Sequence, residues 1–105
     1  MGRRLENLIF LHLRRKYKHI FHYKDKGECD VITMEKNTVK EAIQVCLTIN
    51  DENFDRKFNG LLGAMQNLGL KEGYIVTLNQ SDLFEKEDMT IKMLPVHDFF
   101  EIIVL

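Results

Sequence analysis

Apolar and polar positions change their period several times along this chain, and each change predicts an element. From Arg3 to Lys16, Leu5, Leu8, Ile9, His12 and Leu13 recur at helical spacing, which predicts an amphipathic helix. Arg14, Arg15 and Lys16 follow, where the negative end of a helix favours cations. His19-Ile20-Phe21-His22-Tyr23 is a short aromatic and β-branched run that predicts a strand. Asp25-Lys26-Gly27 predicts a turn, and Glu28 to Met34 a second strand. After a turn at Glu35-Lys36-Asn37, Glu41 to Ile49 predicts a third strand. Ile43, Val45 and Leu47 fall on one of its faces, with Ala42, Gln44 and Cys46 on the other.

Asn50 or Asp51 is placed to cap a second helix, whose Phe54, Phe58, Leu61, Leu62 and Met65 have helical spacing. Gly69 is placed to end it. Tyr74-Ile75-Val76-Thr77-Leu78 is a compact apolar run that suits a strand buried on both faces. Ser81–Asp88 reads as an acidic loop, Thr90–Leu94 as a strand, and Asp98–Leu105 as a short final helix or apolar tail. The predicted order is α-β-β-β-α-β-β-α. Tight turns imply antiparallel pairing of the early strands, and the long second helix implies a parallel, right-handed return. The fold class expected is α/β, a mixed sheet with helices on its faces.

Composition narrows this picture. A chain of 105 residues with 45% apolar content suits one domain, 1–105, with one core. The net charge of −1 gives no global attraction to nucleic acid or acidic lipid, so such binding would need a local basic patch. No apolar run has the length of a membrane span. Met1-Gly2-Arg3-Arg4-Leu5 lacks the apolar core of a signal peptide, and the cysteines Cys29 and Cys46 fit a reducing cytosol.

Four stretches carry a family resemblance: Glu6-Asn7-Leu8-Ile9-Phe10-Leu11, Tyr23-Lys24-Asp25-Lys26-Gly27-Glu28-Cys29-Asp30-Val31-Ile32, Ala42-Ile43-Gln44-Val45-Cys46, and Leu70-Lys71-Glu72-Gly73-Tyr74-Ile75-Val76-Thr77-Leu78. In order and spacing, from about Leu5 to Pro95, they resemble a C-terminal domain that follows the ATPase module in a family of bacterial and archaeal AAA-type ATPases. That domain is similar to PD-(D/E)xK nucleases. The resemblance implies a restriction-endonuclease-like core and a chain equivalent to an excised or truncated C-terminal domain. It places Glu6 at the helical acid and Asp30 at the strand aspartate, and the E-x-K step falls on Gln44-Val45-Cys46.

The chemistry of such a site is metal-assisted. Mg²⁺ or Mn²⁺ takes hard oxygen ligands, and a lysine helps orient or deprotonate the attacking water. Gln44 offers only a neutral carbonyl, and Cys46 has no cationic form, so two of the expected groups are missing. Glu28 shares the face of Asp30 and could replace one; Lys40 or Lys57 could replace the lysine.

Each candidate also has a plainer reading. Glu6 lies in the first turns of its helix, where the dipole favours an acid without any function. Asp30 is less easily explained, because aspartate is disfavoured inside strands. A weak metal site at Asp30 and Glu6 is therefore one expectation. Gln44 is expected to hydrogen-bond neighbouring backbone or Asp30, and Cys46 to be a small buried filler. Cys29 and Cys46 are expected on opposite faces, without a disulfide. His19 and His22, at i and i+3 on a strand, point apart and do not make a zinc pair. His12 and His97 read as structural. Gly60 and Gly63 sit inside a helix and form no phosphate loop.

The function this implies is a non-catalytic accessory domain with a degenerate nuclease site, partnered by an AAA-type ATPase domain or by a second copy. A nuclease with a rearranged site is the alternative. Nucleic-acid binding without cleavage, through Arg14, Arg15, Lys16 and Lys18, is a third reading; a solvated helix end explains the same cluster more simply.

Overall fold

Hairpins and one helical crossover lay the sheet down in this computed structural model, which describes residues 2–25 and 27–103. Helix α1 (Gly2–Arg14) leads into β1 (His19–Lys24), β2 (Glu28–Glu35) and β3 (Thr38–Val45). Helix α2 (Phe54–Leu68) carries the chain to β4 (Glu72–Thr77); then come β5 (Asp82–Lys86), β6 (Met89–Pro95) and α3 (Val96–Ile103). The protein is an α+β domain: a mixed six-stranded sheet in the order β1-β2-β3-β4-β6-β5, with three helices.

The early strands pair antiparallel, as their tight turns predict. Lys36 and Asn37 adopt φ of 52° and 67°, the left-handed pair that a two-residue hairpin uses, so β3 begins at Thr38 rather than Glu41. The turn before β2 is closed by Asp25 N–H donating to the Gly27 carbonyl, while Lys26 lies outside the described residues. The crossover through α2 makes β4 parallel to β3, with Gln44 beside Ile75, and β4 is also parallel to β6. A strand hydrogen-bonded on both sides and covered on both faces has to be apolar, which is the pattern Tyr74–Val76 shows.

Each face of the sheet carries its own core. Leu5, Ile9 and Leu13 of α1 join Phe99 of α3 over Val31, Ile43, Val45, Tyr74 and Val76. On the opposite face, Leu61, Leu62, Ala64 and Met65 of α2 cover Ile32, Ala42, Ile75, Ile91 and Met93. Full burial of side chains such as Ile75 and Leu61 stabilises by about 1.5–3 kcal/mol each. Gly69 ends α2 at φ 75°, its N–H bonded to the Met65 carbonyl.

Several expectations need correction. Leu8 is half exposed rather than part of the buried stripe of α1. The acidic stretch Ser81–Asp88 is mostly strand, because Phe84 anchors β5 against Phe54 and Phe58 while its charged neighbours face solvent at the sheet edge. Helix α2 starts later than predicted, with Asn53 at the cap; Asn50 instead organises the preceding turn, its Oδ1 accepting from Glu52 and Asn53 N–H. The final helix extends to Ile103, and Val104 and Leu105 of the apolar tail lie outside the described residues, as does Met1. Among the described residues, no helix is long and apolar enough to cross a membrane.

Candidate functional site

Two glycines set the geometry of the corner where α2 meets β2. A Cβ on Gly60 would stand 2.4 Å from the Glu28 carbonyl oxygen, and one on Gly27 would stand 2.8 Å from the Gly60 carbonyl. Only glycine lets a helix lie this close to a strand backbone. The approach brings the first turns of α2, and Lys57 with them, over the strand residues Glu28 and Asp30.

Gln44 closes the corner from β3. Its side chain is 2% exposed, so every polar atom needs a partner. Oε1 accepts from Asp30 N–H at 2.9 Å. Nε2 donates to the Glu28 carbonyl at 2.7 Å and to the Lys57 carbonyl at 2.9 Å. One amide side chain thereby ties β3 to β2 and to α2, using both of its N–H groups and its oxygen. This agrees with the expectation that Gln44 bonds backbone, and it adds the helix as a partner.

Asp30 and Lys57 form the charged part. The Asp30 Oδ2 accepts from Val45 N–H at 2.8 Å and lies 2.9 Å from Lys57 Nζ, which also donates to the Val45 carbonyl at 3.1 Å. The side chains of Asp30 and Lys57 are only 14% and 13% exposed. Screening by water is weak there, and the desolvation of two charges is offset only because each has further hydrogen bonds. Glu28, Asp30, Gln44, Arg56 and Lys57 line a small recess over this pair. At its side, His22 Nε2 lies 3.3 Å from Glu28 Oε2, both side chains about half exposed.

The residues singled out from the sequence separate in space. Asp30, Gln44, Glu28 and Lys57 come together; Lys40 is exposed on β3 and has no part in the recess. Glu6 is exposed on α1, and α1 covers the sheet face opposite to α2. It is absent from the recess, and the structure does not bring it together with Asp30. Cys46 is half-buried rather than a buried filler; it lies past the end of β3, its Sγ 3.2 Å from the Thr48 carbonyl. Cys29 is the buried thiol, and burial pushes its pKa up to about 12. Both cysteines are free. His12 stacks on Phe100 with centroids 4.0 Å apart, a packing role.

The donor set does not fit Mg²⁺ or Mn²⁺. Such an ion wants converging carboxylates, whereas Gln44 turns its oxygen to a backbone N–H and Asp30 Oδ2 is engaged by an ammonium and an amide. Among the described residues no group of three His, Cys, Asp or Glu is placed to hold a metal. Arg56, His22 and the two close-approach glycines were not identified as site residues from the sequence. The available signal was Gly60 itself, a glycine inside a helical pattern, which marks a close approach.

The fold and corner define the class only as a mixed-sheet α+β domain with a buried Asp–Lys pair under one helix. The chain is 36% identical over 91 residues, 81% of its length, to the uncharacterized protein MJ1544 of Methanocaldococcus jannaschii, and it spans 20% of that protein's length. No protein-family model and no solved structure matches it.

Proposed function

We propose that this chain is a non-catalytic interaction domain with a restriction-endonuclease-like core, akin to the PD-(D/E)xK-like domain that follows AAA-type ATPase modules. The observation that carries the reading is the saturation of the corner. Gln44 engages three backbone groups, and Asp30 Oδ2 is held by Lys57 and Val45 N–H. Groups that a nuclease would turn toward metal and phosphate here stitch β2, β3 and α2 together. The similarity to one fifth of a longer archaeal protein supports a module that works beside other domains. An ATPase domain or a second copy of the chain is the partner this reading names.

The test is cleavage of plasmid and single-stranded DNA with Mg²⁺ or Mn²⁺, with Asp30→Ala beside the parent chain and melting curves for both. No cutting by either chain, with a lower melting temperature for Asp30→Ala, is expected. Cutting that Asp30→Ala abolishes would overturn the reading.

One observation favours a second reading, a nuclease whose lysine has moved to the helix. Lys57 Nζ stands 2.9 Å from Asp30 and lines the same recess as Glu28. In that case the parent chain would cut, and Lys57→Met would not.

A further inference from the structure

Away from the Asp30 corner, the end of α1 and the start of β1 meet the β2–β3 turn. Two adjoining hollows run between them and share Lys18, His19, Met34 and Asn37. Arg14 extends one hollow; Lys16 and Lys36 extend the other. All of these cations have exposed side chains, whereas Glu35 is the one acid along the lining. Arg14, Lys18 and Lys36 form no ion pair with any described residue. The opposite edge of the sheet has the reverse character: Asp82, Glu85, Glu87 and Asp88 lie on or beside β5, and Lys71 is already paired with Asp88. A net charge of −1 thus conceals a molecule with a basic edge and an acidic edge, a distribution that orients a polyanion before contact.

The basic edge has more than charge. Phe21 is 37% exposed on β1 and lines the hollow with Ile20 and Met34, beside the His19 ring. The turn that presents Lys36 and Asn37 is held in a left-handed hairpin, so these side chains come from a rigid element. Arg14 lies over the Phe10 ring at 5.4 Å, and Lys16 over Tyr17 at 5.4 Å, which limits the volume that these cations explore.

We infer that this edge binds single-stranded nucleic acid. Arg14, Lys18 and Lys36 contact successive phosphates, and an unstacked base lies on Phe21. Cations along a groove beside an exposed ring are the elements of sequence-tolerant strand binding. An acidic peptide added to β1 as a further strand is the competing occupant. The observations favour it less, because β1 is only six residues long, its pairing is interrupted between Phe21 and Tyr23, and lysines flank its exposed edge. Such features discourage strand addition. The inference stands on a different surface from the saturated corner, so either can fail alone.

The test is fluorescence anisotropy of the whole chain with labelled single strands of DNA and of RNA, each about twelve nucleotides long, in a salt series. Unlabelled polyglutamate serves as competitor. Binding is expected at low salt, with log K falling against log salt at a slope of about −2 to −3, as release of counterions from three or four phosphates requires. Lys18→Glu with Lys36→Asn is expected to weaken binding at least about tenfold and to flatten the slope. Asparagine tolerates the left-handed φ at position 36, so the fold is kept, and circular dichroism checks it. Arg14→Gln alone supplies a second, milder variant. Lys86→Glu, at the acidic edge, is expected to leave binding unchanged. No binding at low salt, equal loss in Lys86→Glu, no loss in the groove variants, or displacement by polyglutamate as efficient as by unlabelled strand would each overturn the inference.

Discussion

Gly60 of α2 faces the carbonyl of Glu28 on β2 so closely that a Cβ at position 60 would stand 2.4 Å from that oxygen. The same approach lets Gln44 Nε2 reach both the Glu28 and the Lys57 carbonyls. Helix position, amide network and ion pair are consequences of one small contact.

Gly60→Ala is therefore expected to destabilise despite improving helix propensity. Alanine gains about 1 kcal/mol within a helix, but overpacking typically costs about 1–3 kcal/mol. Here the obstructing atom is backbone and cannot rotate away. A net loss of up to about 2 kcal/mol in a guanidinium titration is the expected outcome. A variant more stable than the parent would show that α2 can shift outward freely.

Breaking the Asp30–Lys57 pair from either side leaves a poorly hydrated charge behind. Asp30→Asn and Lys57→Met should each cost about 2–4 kcal/mol, toward the lower end for a pair that retains slight exposure. The double variant should cost less than the sum, with a coupling of about 1–3 kcal/mol in a denaturant double-mutant cycle. Additive losses would mean that the two groups do not interact in solution.

Placing a carboxylate at position 44 should destabilise the corner. In Gln44→Glu, an ionised oxygen would face the Glu28 and Lys57 carbonyls where an N–H₂ now donates. The folded state would hold that carboxyl protonated to higher pH than the unfolded chain does. The folded state then binds more protons between the two pKa values, so stability falls as pH rises through that window. Melting temperatures across pH 4 to 8 check this: relative to the parent, the variant should lose stability steadily toward the upper limit. A flat difference would refute it.

The two thiols should differ in reactivity. Cys29 is fully buried, with its pKa pushed up to about 12, whereas Cys46 is half-buried in a loop. A chromogenic disulfide reagent at mildly alkaline pH should label Cys46 alone until guanidinium is added, after which both cysteines react. The same burial predicts alkaline weakening. The unfolded Cys29 thiol ionises near its ordinary value of 9.0, the folded one near 12, so stability declines as pH rises through that interval. Tyr17, raised by burial and by its hydrogen bond to Glu41, adds to the decline at still higher pH.

Local pattern determined much of the architecture. Helical spacing in Leu5, Ile9 and Leu13, the Lys36-Asn37 turn, the apolar run at Tyr74–Val76 and the glycine after Leu68 each carry their own physical signal within a few residues. The strand β5 was not legible, since its one partly buried anchor, Phe84, gains meaning only against Phe54 and Phe58. The corner was half legible. Asp30 stood out as an aspartate inside a strand and Gln44 through the resemblance, and Lys57 was one of two lysines expected within reach. Excluding Glu6 depended on which sheet face each helix covers, and choosing Lys57 over Lys40 on how closely α2 approaches β2. That choice is made by side-chain packing and a glycine-sized gap between residues 32 positions apart, Glu28 and Gly60. No local periodicity encodes such a contact, so only the tertiary structure decided it.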